Sequence, residues 1–141
     1  PLNSISAVTL ANQEQLGLHF DSQKGMQQHQ RMVEMYEANG VRCHFVDANE
    51  GLPSSVFTRD SSFMTPWGAV ITSIQTPPRR QDYSVASDFY RNAGIPIWKW
   101  VTANHFEGGD FAIIKPGVSM LGWSGNRSTK EGAEQVAGWM H

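Results

Sequence analysis

Two segments of this chain repeat the same order of residue types, and that repetition limits the folds open to it. "FTRDSSFM…WGAVI" at 57–71 and "FEGGDFAI…GVSML" at 106–121 each run Phe, acid, strand, turn, strand, at an offset of about 50 residues. A second pair, "NGVRCHFV" at 39–46 and "AGIPIWKW" at 93–100, shows a helix stop followed by a strand, at an offset of 54. The unit is strand, strand, helix, strand. A period near 50 with mixed content points to a repeat architecture rather than to a doubly wound sheet. A chance likeness between two α/β units is the competing reading. The acid at the start of each hairpin favours the repeat, with units over about 1–50, 51–103 and 104–141 of a single α/β domain.

The elements follow from period and punctuation. Asp21 is an N-cap for a helix from Ser22 to Ala38, with Met26, His29, Val33 and Tyr36 on one face and Asn39-Gly40 as its stop. "VRCHFVDA" reads as a strand, and "SSVFTRD" and "WGAVITSI" read as two more, parted by a turn at Thr65-Pro66. A helix follows Pro77-Pro78 from about Arg80 to Asn92, with Val85 and Phe89 aligned, and "IPIWKW" returns as a strand. "DFAIIKPGVSMLGW" is a hairpin turning at Lys115-Pro116-Gly117. Ser128 and Glu131 form a capping box for a last helix carrying Val136 and Trp139.

Composition narrows the function. Hydrophobic residues make up 40% and charged residues 17% of 141 positions, as in a globular domain with a buried core. A net charge of -2 without a basic run argues against nucleic-acid or membrane partners. No apolar stretch approaches the roughly 18 residues of a membrane span. The single cysteine excludes an internal disulfide framework and points to a reducing, cytoplasmic setting. The chain opens at Pro1, so processing or a longer parent is expected.

The chemistry is carried by acids and arginines. Asp60 and Glu107 hold like positions in successive units, and a ring of such units would aim both carboxylates at one axis. Such a pair suits a planar guanidinium, which donates several hydrogen bonds in a fixed fork. The plainer alternative pairs Asp60 with Arg59 and leaves Glu107 capping a turn. Gly108-Gly109 speak for a ligand, because paired glycines allow close backbone approach. Arg79 lies 19 residues after Asp60 and Arg127 lies 20 after Glu107, each ahead of a helix. The helix dipole disfavours positive charge there, so a carboxylate ligand or an ion pair is the better reason for both. Cys43 alternates with Val41 and Phe45 and reads as an inert core thiol. The five histidines, at 19, 29, 44, 105 and 141, lack metal-ligand spacing, so neither a metal nor another cofactor is expected. His105 adjoins the acidic motif but should face away from it.

"VFTRD", an arginine 19 residues on, "FEGGD" and "GWSGNRSTKEG" together resemble the guanidino-group-modifying enzymes. These are the arginine deiminases, dimethylarginine dimethylaminohydrolases and amidinotransferases. The resemblance runs from about residue 22 to the end and implies a pentein fold, an α/β propeller of five strand-strand-helix-strand units. Here it would be an incomplete ring of two to three. It implies that Asp60 holds the substrate guanidinium and that Glu107 sits beside it and beside a general-base histidine. Phe57 would line the pocket, and Arg79 and Arg127 would bind the substrate carboxylate. Arg59 matches the deiminase pattern, whereas the dimethylarginine hydrolases tend to carry an acid there and near Ser54.

The family's nucleophilic cysteine and its histidine fall outside the pattern found here, so this chain alone is expected to be inactive. One reading is therefore the N-terminal part of a hydrolase or transferase acting on arginine or a derivative. The other is a non-catalytic module that self-associates, or meets a complementary chain, through open repeat edges.

Overall fold

The computed structural model describes residues 7–17, 21–47, 49, 51–52 and 54–140, which divide into two compact units, residues 1–53 and 54–141. His19, Ala48 and His141 lie outside the described residues.

The first unit holds helices α1 (Ala7–Leu16) and α2 (Ser22–Ala38). Asp21 caps α2 as expected, its side chain accepting from the Lys24 amide at 3.0 Å. The expected apolar stripe is only partly used: Val33 is buried, whereas Met26 and Tyr36 are exposed. The run from Val41 to Asp47 is irregular rather than a strand, with Val41 and Phe45 exposed and Cys43 half-buried. Alternation of apolar residues shows which face a strand would bury, but a strand also needs a partner edge to accept its amide hydrogen bonds.

The second unit begins with a one-turn helix, α3 (Thr58–Ser61), where the sequence reading had a strand. Strand β1 is the next four residues, Ser62–Thr65, and it turns through Pro66-Trp67 into β2, Gly68–Ile71. The two are antiparallel, with Thr65 opposite Gly68. A 3-10 turn, Pro77–Arg79, leads to helix α4 (Asp82–Asn92), and β3 (Ile97–Trp100) returns parallel to β2. This is one complete strand-strand-helix-strand unit, with sheet order β1-β2-β3. Its successor starts from a 3-10 turn, Gly108–Asp110, and continues through the hairpin β4 (Phe111–Lys115) and β5 (Val118–Leu121) to helix α5 (Lys130–Trp139).

Apolar residues from both hairpins share one core. Phe63, Val70, Val101, Phe106, Phe111, Ala133 and Val136 are buried together, with Trp98, Leu121 and Trp139 packed against them. Phe63 of β1 stacks on Phe111 of β4 at 4.2 Å between ring centroids. Beyond β2, Ser73 and Phe106 exchange backbone hydrogen bonds, which ties the segment leading into the second hairpin to the β1-β2-β3 sheet.

The last helix is capped by Thr129 rather than Ser128. Its hydroxyl accepts from the Gly132 amide at 3.2 Å and donates to the His105 carbonyl at 3.1 Å. The two adjacent hydroxyls made the sequence pattern ambiguous by one residue, and burial decides: Ser128 is wholly enclosed and bonded elsewhere.

One contact orders the two turns. A Cβ on Gly108 would stand 2.3 Å from the Arg59 carbonyl oxygen and 2.6 Å from that of Ser62. Gly108 thus lets the second turn lie directly on the backbone of the first. A Gly108→Ala substitution should cost about 1–3 kcal/mol by overpacking against backbone that has little room to yield. Gly138, in α5 with open space around its Cβ position, is the control. Gly138→Ala should be neutral or stabilise by about 0.5–1 kcal/mol. Urea midpoints of the two variants check the contrast.

Candidate guanidinium-binding site

The site is built where α3 and the Gly108–Asp110 turn touch. Asp60 is on α3, and Glu107 immediately precedes the second turn. The hairpin turns at Pro66 and Pro116 are 50 residues apart, but a bulge between Ile113 and Lys115 makes the paired strands match Ser62 to Phe111, an offset of 49 that sets Asp60 against Gly109, two residues beyond Glu107. Asp60 and Glu107 are therefore not repeat equivalents, as the sequence reading had them. They meet because the two turns are packed together by Gly108.

Each acid engages the arginine that follows it in sequence. Arg79 Nη1 donates to Asp60 Oδ2 at 2.8 Å, and its Nε donates to Asp82 Oδ2 at 2.9 Å. Arg127 grips Glu107 with both ends of its fork, Nε to Oε1 at 3.1 Å and Nη2 to Oε2 at 2.6 Å. The same Nη2 lies 3.8 Å from Asp60 Oδ2, so one guanidinium spans both carboxylates. Phe57 lies under Arg79, its ring centroid 5.3 Å from the guanidinium carbon. All five residues proposed from the sequence are thus contiguous: Phe57, Asp60, Arg79, Glu107 and Arg127.

The two arginines differ sharply in freedom. The Arg79 side chain is 9% exposed and held by two acids, whereas that of Arg127 is 51% exposed. Arg79 Nη2 and Asp82 Oδ1 are buried without a hydrogen-bond partner among the described residues. Three carboxylates face two guanidiniums, leaving one formal negative charge uncompensated.

Asp82 was not singled out from the sequence. Its place three residues after Arg79 was the available signal. Arg59, the alternative partner for Asp60, donates instead to the Phe111 carbonyl across the turn contact. His105 turns to Ser73, with Nδ1 and Oγ 3.2 Å apart. Gly108 packs against protein backbone, so the close approach it permits is between turns rather than toward a ligand.

Ser128 locks the Glu107 turn. Its hydroxyl accepts from the Glu107 amide at 3.0 Å and donates to the Asp110 carboxylate. Asp110 also accepts the Gly122 amide on its own carbonyl at 2.8 Å. Both ends of the loop over residues 122–129 are therefore tied down next to Glu107.

Burial penalises the ionised form of Glu107 and holds its pKa above the ordinary carboxylate value, with Arg127 offsetting only part of the effect. Burial does the same to Asp82, against the opposing pull of Arg79. For Arg79, burial acts to lower the pKa, but the bonds to Asp60 and Asp82 outweigh it and hold the value above normal. Among the described residues there is no group of three or more His, Cys, Asp or Glu that could hold a metal ion. No helix among them is long and apolar enough to cross a membrane.

The family-wide pattern that the chain matches, together with the solved structures it resembles, places it in the guanidino-group-modifying pentein superfamily. More narrowly, the chain belongs to the arginine deiminase family, whose family-wide pattern matches residues 4–140. It is 36% identical over 92 residues to the arginine deiminase of Rhodococcus erythropolis, an alignment covering 61% of this chain and 22% of that protein. It is 34% identical over 86 residues to the protein YkgA of Bacillus subtilis, covering 61% and 30%. Among solved structures, a dimethylarginine dimethylaminohydrolase bearing an S-methyl-L-thiocitrulline adduct superposes with a TM-score of 0.76 at 24% identity. That match covers 85% of this chain and 47% of the other. The N-terminal domain of the arginine dihydrolase ArgZ from cyanobacteria, bound to substrate, gives 0.72 at 16% identity over 87% and 46%. The chain thus spans about half of these solved structures and less than a third of the curated relatives.

Two measurements check the site. A raised carboxylate pKa means that the folded state takes up its proton at higher pH than the unfolded chain does. The stability contributed is then full below the unfolded value of about 4.3 and is lost as pH rises through the folded value. Wild type should therefore gain melting temperature relative to Glu107→Gln as pH falls from 7 toward 4. A constant gap across that range counts against the shift. Ser128→Ala removes both bonds of a buried hydroxyl and should cost about 1–3 kcal/mol in chemical denaturation.

Proposed function

We propose that this chain supplies the guanidinium-holding side of an enzyme that hydrolyses, or transfers from, a guanidino group of arginine or an arginine derivative. The observation that carries the reading is that Asp60 and Glu107 both engage one guanidinium, that of Arg127, in the site itself. Two carboxylates arranged to accept a planar fork would hold a substrate guanidinium cationic and oriented. Phe57 offers an aromatic wall beside it. Nη2 of Arg79, buried and without a hydrogen-bond partner among the described residues, is a donor that a ligand oxygen would satisfy, which supports a role for Arg79 toward a substrate carboxylate.

The chemical step in this reading is attack of a thiolate on the guanidinium carbon to give a tetrahedral adduct, which collapses by breaking one C–N bond and releasing that nitrogen as a protonated amine or ammonia. Residues 54–141 contain no cysteine, and the sole thiol, Cys43, belongs to the other unit in an irregular run. The thiolate would therefore come from outside the unit that holds the carboxylates. A remaining part of the protein or a complementary chain would supply it while closing the ring. No cofactor enters the scheme.

L-Arginine titrated into the chain should shift amide resonances around residues 57–60 and 106–110, with L-citrulline binding at least about tenfold more weakly because its ureido group carries no charge. Asp60→Asn and Glu107→Gln should each abolish the arginine response. Equal binding of arginine and citrulline, or binding unchanged by both substitutions, defeats the reading.

A further inference from the structure

Helix α2 ends on Asn39-Gly40, and every other asparagine in the chain precedes a residue with a side chain. Both residues are exposed, and Gly40 sits at φ 78° with open space where a Cβ would be. A side chain at position 40 would crowd the path from its backbone nitrogen to the amide carbon of Asn39, Cγ. Glycine clears that path.

Hydrogen bonds keep the two groups from reacting while the helix end is closed. Gly40 N–H donates to the Glu37 carbonyl at 2.9 Å, and Asn39 Nδ2 donates to the Met35 carbonyl at 2.8 Å. The first bond holds the proton on the nitrogen that would attack. The second ties down the group that would leave. The Asn39 and Val41 amides complete the cap, both donating to the Tyr36 carbonyl, at 3.1 and 3.0 Å. All four bonds belong to one terminal turn, and the end turns of helices open at little cost.

We propose that Asn39 is a site of spontaneous deamidation, gated by opening of the last turn of α2, whose product removes the cap that closed the turn. The proposal stands apart from the guanidinium reading, because α2 and the carboxylate pair belong to different units.

The step balances with water alone. With the turn open, hydroxide takes the Gly40 amide proton and the nitrogen attacks Asn39 Cγ. The new C–N bond closes a five-membered succinimide, the Cγ–Nδ2 bond breaks, and the nitrogen leaves as ammonia with a proton from water. Water then opens the ring. Attack at Cγ gives aspartate, whereas attack at the main-chain carbonyl carbon gives isoaspartate, with the chain running on through the former side chain. Neither product has an Nδ2–H to give Met35. The new carboxylate lies at the negative end of the helix dipole, and α2 has no basic residue in its last turn to offset it. Opening admits the reaction, and the reaction favours further opening.

The test ages the full chain at neutral and at mildly alkaline pH and maps its peptides by mass spectrometry. Conversion at Asn39 should be at least about tenfold faster than at any other asparagine, because only its neighbour lacks a side chain. It should speed up with pH. In urea that unfolds the chain it should run about three- to tenfold faster still, since the turn is then always open. Asn39→Asp should lower the exchange protection of the Gly40 and Val41 amides about two- to fivefold. If that variant does not fold, aged wild type separated by charge gives the same reading. Conversion at Asn39 no faster than elsewhere overturns the site. Equal rates with and without urea overturn the gating, and unchanged exchange protection overturns the loss of the cap.

Discussion

The site depends on a backbone-to-backbone contact before it depends on any charge. Gly108 lies so close to the carbonyls of Arg59 and Ser62 that only a hydrogen fits where a side chain would start. That contact fixes the distance between the turn bearing Asp60 and the turn following Glu107. Two carboxylates repel each other when brought together, so something other than electrostatics must hold them. Here it is packing: the Phe63–Phe111 stack and the shared core join the two hairpins, and the glycine lets their leading turns meet.

Around that contact the polar groups form a graded series. Arg79 is fixed, with Asp82 on one side and Asp60 on the other. Glu107 is buried and held through its amide by Ser128. Arg127 is the least enclosed member. Enclosure is greatest at Asp82, Glu107 and Arg79 and least at Arg127. Such a division is what preorganised binding requires, since acids held apart from solvent need not be reoriented when the ligand arrives.

Much of this was legible in the sequence, and the failures have physical causes. Helix α2, helix α4 within two residues, strand β3 and the β4–β5 hairpin follow from caps, stops and turn residues, which act locally. The run around Cys43 alternates correctly yet is no strand, because pairing depends on an edge that local sequence does not encode. Thr58 to Ser61 reads as β-rich but turns once as a helix before β1. The five residues named from motif and spacing lie in one chain of side-chain contacts. Repeat symmetry is not what brings them together, since the strand register sets Asp60 two residues away from Glu107. Gly108 was read as opening space for a ligand, when the space is filled by the neighbouring turn. Neither point can be seen without the packing of one hairpin on the other.

The loop that carries Arg127 is pinned at both ends, by the Gly122 amide on Asp110 and the Thr129 amide on His105. Gln135 of α5 adds bonds to the Thr102 and Ala103 amides at 2.9 and 3.0 Å, steadying the helix that follows. With its backbone anchored, Arg127 could change partner only by turning about its side-chain torsions, not by opening a segment of chain. Exposed side chains reorient in picoseconds to nanoseconds, whereas collective loop or domain rearrangements take microseconds or longer. An exchange of partners at the carboxylate pair would then need no slow motion of the fold.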